Sequence, residues 1–195
     1  MTWKDIKLIT LQKMFSANGN EIVNDETTRD YLAAMPYAAN EALQLLCGSN
    51  KYLRSYAEIP KSEGSVMRAD MTDYTDDFFR FGDLEAYDQL FNQIQFSAVA
   101  GTVAIIPEDA SGTIRVYYDA WPKPITSATP DDYNLPLSDD VCVLLPLYMA
   151  SQIYKDDDNS IATIYRNEFE VARAELSNRT NGVVSEEFTS VTGWI

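Results

Sequence analysis

Apolar positions in the first quarter of the chain recur at helical spacing. Over 3–15, Leu8, Leu11 and Phe15 share one side, and Thr2 followed by Asp5 gives a capping signal at the start. Asn18-Gly19 supplies the positive φ that ends a helix, and a polar linker covers 20–26. Over 27–47 the repeat returns through Tyr31, Leu32, Met35, Ala38, Ala42, Leu45 and Leu46, with Gly48 placed to close it. Pro36 lies inside this pattern and either kinks one helix or starts a second in its first turn; the pattern favours one kinked helix. Ala33, Ala34, Ala38, Ala39 and Ala42 let a neighbouring helix approach closely.

From residue 51 the period shortens. Segments 52–59, 65–70 and 78–81 are short, aromatic or β-branched, and separated by Pro60, Gly64 and Gly82. Residues 87–91 suit a turn of helix. Over 93–99 polar and apolar positions alternate, with Ile94, Phe96 and Ala98 on one face. The clearest hairpin joins 102–106 to 113–119 through the loop 107–112, with Ile114, Val116 and Tyr118 facing one way and Arg115 and Tyr117 the other. Five or six short antiparallel strands are expected, as a small sandwich or sheet.

Residues 121–136 form a Pro-rich hinge, and helical spacing resumes beyond it. Ser138 can cap, Asp139 and Asp140 suit a positive N-terminal turn, and Val141, Leu144, Leu145, Tyr148 and Met149 make an apolar stripe. After the acidic turn 155–159, Asp158 or Asn159 can cap a helix carrying Ile161, Ile164, Tyr165, Phe169, Ala172 and Leu176. The pair should fold back as an αα-hairpin and needs a helical partner, which the N-terminal segments supply. The expected fold is therefore α+β: a mainly α-helical bundle from 1–50 and 128–177, a small antiparallel β subdomain inserted at 51–127, and an extended tail over 178–195. Phe188, Val191, Trp194 and Ile195 give that tail an apolar end suited to docking.

Net charge is −15, from 30 acidic and 15 basic residues. Gripping a phosphate backbone requires cations, so this balance opposes nucleic-acid binding, although an acidic wall can border DNA without holding it. Cys47 and Cys142 sit among apolar neighbours and suit buried, reduced thiols. No apolar window approaches the ~20 residues of a membrane span, and the N-terminus lacks a signal pattern. A soluble protein made in the cytoplasm is expected. The sequon Asn178-Arg179-Thr180 stands without other signs of secretion and is set aside.

Candidate chemistry is sparse. The chain has no histidine, which removes Ser–His and Cys–His nucleophiles and any histidine-containing zinc site. Neither G-x-G-x-x-G nor a P-loop occurs. Carboxylates remain, at Asp76-Asp77, Asp131-Asp132, Asp139-Asp140 and Asp156-Asp157-Asp158. An EF-hand register from Asp157 to Glu168 fails because Ala162 takes the glycine position and Ile161 offers no oxygen. A glycosidase-like pair drawn from Asp76, Asp77 and Glu85 has nothing but composition behind it. No enzyme, cofactor or metal site is expected. The aromatics Tyr87, Tyr117, Tyr118, Trp121 and Tyr133 gather near the β region and its hinge. Of these, Tyr87, Tyr117, Trp121 and Tyr133 are candidate interface residues, for a protein or a sugar.

The layout resembles the head–tail connector (adaptor, or head-completion) proteins of tailed bacteriophages. The resemblance covers about residues 27–177. It rests on Ala38-Ala-Asn-Glu-Ala-Leu43, the β region ending Val116-Tyr-Tyr-Asp-Ala-Trp-Pro122, Leu137-Ser-Asp-Asp140, Leu144-Leu-Pro-Leu-Tyr-Met-Ala150, Asp157-Asp-Asn-Ser-Ile-Ala162 and Tyr165-Arg-Asn-Glu-Phe-Glu170. It implies a ring subunit, commonly dodecameric, in the virion neck. Such a ring binds the portal protein on one side and a tail or stopper protein on the other, and DNA passes through it unbound. It also implies that 178–195 docks into the portal through Phe188, Val191, Trp194 and Ile195. A carbohydrate- or receptor-binding β module on a helical stalk is the alternative, and an acidic DNA mimic is a third.

Overall fold

The computed structural model describes residues 1–15, 21–49 and 53–180. The turn expected at Asn18-Gly19 and the tail residues Phe188, Val191, Trp194 and Ile195 lie outside the described residues.

Helix α1 (Trp3–Lys13) starts with a capping box. The Asp5 N–H donates to Thr2 Oγ1 at 3.2 Å and the Thr2 N–H donates to Asp5 Oδ2 at 2.9 Å, satisfying two donors that a helix end leaves open. Helix α2 (Arg29–Ser49) is continuous through Pro36, so the break that proline permits is not taken. Eight strands follow: β1 (Arg54–Lys61), β2 (Met67–Asp70), β3 (Phe78–Arg80), β4 (Ala86–Tyr87), β5 (Gln93–Ile94), β6 (Ser97–Val99), β7 (Val103–Ile106) and β8 (Gly112–Ala120). A 3₁₀ turn, Met71–Asp73, follows β2 and is capped by Asp70. The chain returns to helix in the single turn α3 (Asp139–Cys142), then α4 (Leu145–Ile153) and α5 (Asn159–Thr180).

The architecture is α+β with two antiparallel sheets and a strand-built core, and this corrects the expected bundle with a small β insertion. One sheet is ordered β1-β8-β4-β5, with β3 also on β8; the other is β2-β7-β6. Their inner faces share one core, in which Ala57, Ile59, Ile114 and Val116 meet Ala69, Ala104 and Ile106. A second core joins α1, α2, α4 and α5 through Ile6, Leu11, Met35, Leu43, Leu46, Leu145 and Phe169. That second core is not helical alone. Ile125 and Leu135, from the segment expected to be a hinge, and the adjoining Leu137 are buried in it.

The Pro-rich segment is therefore stitched in place. Asn40 brackets Ile125, donating to its carbonyl and accepting from its N–H, both at 2.8 Å. Trp3 N–H donates to Tyr133 O at 2.8 Å, Lys4 N–H to Asp131 O at 2.9 Å, and Leu135 N–H to Met1 O at 3.2 Å. Proline content signals a missing backbone donor. It does not signal mobility when carbonyls and side chains are engaged.

Three local expectations are also corrected. Strands β7 and β8 do not form a hairpin: β7 pairs with β2 and β6, while β8 takes β1 along its whole length. The connection crosses between sheets at Gly112 (φ 87°), and the buried Lys61 Nζ anchors it by donating to Ala110 O at 2.7 Å. The alternating run 93–99 splits, β5 joining one sheet and β6 the other, with Phe96 buried between and Ala98 exposed. Residues 87–91 form no helical turn; Tyr87 is in β4, and a tight turn follows. The C-terminal pair does fold back, with Asp158 Oδ1 accepting from Ser160 N–H (2.9 Å) and Ile161 N–H (3.1 Å). Its first helix is broken after Cys142, and Ser138 stands at that start without a side-chain capping bond.

Candidate interaction site

The outer face of β1, β8 and β4 carries the site. Strand β1 alternates, burying Ala57 and Ile59 and turning Arg54, Tyr56 and Glu58 outward; β8 buries Ile114 and Val116 and turns Arg115 and Tyr117 outward. The register sets Tyr56 opposite Tyr117 and Glu58 opposite Arg115, with Tyr87 of β4 opposite Arg115 on the far side. Directly opposed side chains are the ones that interact across an antiparallel pair. The Tyr56 and Tyr117 rings lie 5.6 Å apart, and Tyr87 meets Tyr117 edge-on at 5.8 Å.

Arginines clasp these rings. Arg54 lies 5.2 Å from the Tyr117 centroid, and Arg115 lies 5.4 Å from Tyr56 and 5.7 Å from Phe91. Each arginine is fixed by a carboxylate, Arg54 by Glu85 and Arg115 by Glu58 at 3.0 Å. The bond to Glu58 holds the Arg115 guanidinium above its ordinary pKa. Two guanidinium groups facing two carboxylates leave the centre of this face neutral on a chain of net charge −15.

The turn after β4 adds a tip. Asp88 Oδ1 accepts from the Leu90 and Asn92 N–H groups, both at 2.8 Å, and Asn92 Nδ2 donates to Asp88 Oδ2 at 2.8 Å. Asn92 bonding holds the Asp88 carboxyl below the usual carboxylate range. This bracket fixes Phe91 in the left-handed region at φ 62°, which is costly for a bulky residue and persists only where surrounding bonds impose it. Leu90 is 81% exposed, Phe91 67% and Tyr56 47%. Rigid aromatics beside arginine, displayed to solvent, are the makings of a protein-binding hot spot.

Of the aromatics singled out in the sequence, the structure brings together only Tyr87 and Tyr117. Tyr118 is a core residue. Burial raises its pKa, and its hydroxyl donates to Asp77 at 2.6 Å. Tyr133 packs beside the helical core, on the segment laced to α1. Trp121 stacks on Phe79 at 4.0 Å and lines a separate hollow of about 340 Å³ with Gln44, Asp76, Asp77 and Lys123. Tyr56, Leu90, Phe91, Arg54 and Arg115 were not singled out in the sequence. The signal for Tyr56 lay only in the register opposite Tyr117, which no single-strand pattern contains.

The carboxylate runs serve local structure. Asp131 pairs with Lys7 at 2.6 Å, Asp157 accepts from Tyr31 Oη at 2.6 Å, and Asp158 caps α5. Among the described residues, no three Cys, Asp or Glu side chains gather as a metal site. No protein-family model matches the sequence, and no curated protein matches it.

Proposed function

We propose that this chain is a non-enzymatic assembly subunit of the head–tail connector kind, which binds a portal protein and extends the DNA path toward the tail. The observation that carries the reading is the neutral aromatic–arginine face with its braced Leu90-Phe91 tip, a surface prepared for a protein partner. That face takes the tail or stopper protein, or a neighbouring copy in the ring. The segment 178–195 takes the portal through Phe188, Val191, Trp194 and Ile195. The acidic balance keeps passing DNA unbound. The resemblance of the sequence over about residues 27–177 to head–tail connector proteins supports the same reading.

Co-sedimentation with assembled portal rings from the same source tests it. The full-length chain should sediment with the rings, and a chain ending at Thr180 should remain in the supernatant. A Leu90→Asp/Phe91→Asp chain should keep the portal and lose the partner on the opposite side. Failure of the full-length chain to sediment would remove the portal from the account. A glycan-binding module is the second reading, favoured only by the Trp121 hollow and its carboxylates. Saturable glycan binding abolished by Trp121→Ala would select it.

A further inference from the structure

Among the described residues, nothing covers an apolar groove on the outer side of helices α4 and α5. Leu147 of α4 and Ile164, Val171 and Ala172 of α5 line about 510 Å³, with Asn167, Glu168 and Glu175 at the rim. Ile164 is 55% exposed and Val171 61%, although the same helix buries Ala162, Phe169 and Leu176 on its other side. Helix α5 is thus apolar on two faces, and among the described residues only one is packed against the rest of the chain. The rim is acidic: among the described residues Glu168 and Glu175 make no salt bridge, whereas Glu170 takes both Arg166 and Arg173.

We infer that this groove docks an amphipathic helix of another protein, one with apolar residues at i, i+3 or i+4 and i+7, flanked by lysine or arginine. Spacing fixes the first requirement. Ile164 and Val171 lie two helical turns apart with Leu147 beside them, which matches the anchors of a helix laid in a groove. Charge fixes the second, because Glu168 and Glu175 attract a cationic flank and repel an acidic one. The same charges oppose a two-fold pairing of this face with itself, which would set glutamates against glutamates. This inference is independent of the connector reading and of the aromatic–arginine face.

The test uses an 18-residue helical peptide with Leu anchors and Lys flanks, titrated against the full chain by fluorescence anisotropy. Two control peptides are a scrambled one of the same charge and one with Glu flanks. The Lys-flanked peptide should bind and both controls should bind at least about tenfold more weakly, a difference of about 1.4 kcal/mol. Val171→Asp should weaken binding about tenfold, and Glu168→Lys/Glu175→Lys should reverse the preference toward the Glu-flanked peptide. These side chains are exposed, so circular dichroism should report an unchanged fold. Equal binding of the scrambled peptide would reduce the effect to general attraction to an acidic chain and overturn the inference. So would binding indifferent to Val171→Asp, or self-association of the chain that Val171→Asp abolishes.

Discussion

The two cores solve the packing problem in opposite ways. Between the helices the space is filled by long side chains: Ile6, Leu11, Met35, Leu43, Leu46, Leu145 and Phe169. Between the sheets alanines are frequent, at Ala57, Ala69, Ala86, Ala104, Ala110 and Ala120, among Ile59, Met71, Phe96, Ile106, Ile114, Val116 and Tyr118. A core of large residues fails when something is removed. At a buried alanine the core fails when something is added, because interiors are already close-packed. The functional surfaces follow the same division. Strands β1 and β8 bury one face in the sheet core and present Tyr56, Arg115 and Tyr117 on the other, and a long amphipathic α5 leaves a second apolar stripe toward solvent.

The largest test of this contrast is deletion in the helical core. Phe169 is fully buried and meets Tyr148 edge-on at 5.0 Å, so Phe169→Ala should cost about 3–5 kcal/mol in urea unfolding. Addition to the strand core comes next. Ala104→Leu, at a fully buried position, should cost about 1–3 kcal/mol, while Ala104→Gly should cost less than Phe169→Ala. At the junction of strand and turn, a Cβ on Gly82 would lie 2.8 Å from Asp119 Oδ1. Asp119 is buried and bonded to Arg80 Nε at 2.9 Å, so Gly82→Ala should cost about 1–2 kcal/mol and loosen that pair.

Alkaline pH should weaken the helical side gradually. Burial pushes the Cys47 thiol up to about 11, and the hydrogen bond to Asp157 pushes Tyr31 up to about 12. An unfolded chain releases these protons first, near 9 and 10, so stability is fully present below those values. It then falls through about pH 11 for the cysteine and about pH 12 for the tyrosine. Cys47→Ala and Tyr31→Phe should each flatten part of that decline in a pH series of unfolding curves. The smallest stability effect belongs to the exposed tip. Phe91→Gly relieves a left-handed phenylalanine, an effect offset in part by the greater chain entropy of glycine, and should change stability by no more than about 1 kcal/mol, yet should abolish binding of the partner opposite the portal.

Helices were legible in the sequence because their burial pattern repeats over several turns, as from Met35 to Leu46; in the last helix Phe169 and Leu176 of the expected stripe are buried, while Ile164 faces solvent. Strand inversion was legible within β8, where Ile114, Val116 and Tyr118 are buried in alternation. Pairing was not legible. Two neighbouring strands with turn chemistry between them suggested a hairpin, but β7 and β8 belong to different sheets, and the deciding contacts come from β1, β2 and the buried Lys61. The same limit hid most of the site. Tyr87 and Tyr117 stood out by type, while Tyr56 became their neighbour only through the β1–β8 register, and Phe91 through the Asp88 bracket. The Pro-rich stretch misled for a related reason: the bonds from Asn40 and α1 that hold it are remote in sequence.

The most direct measurement of the central claim is sedimentation velocity of the full-length chain mixed with portal rings over a range of ratios. An assembly subunit predicts a single larger species that saturates at one chain per portal subunit, with little change between 0.1 and 0.5 M salt because the docking residues Phe188, Val191, Trp194 and Ile195 are apolar. Free chain and free rings sedimenting independently at every ratio would contradict it.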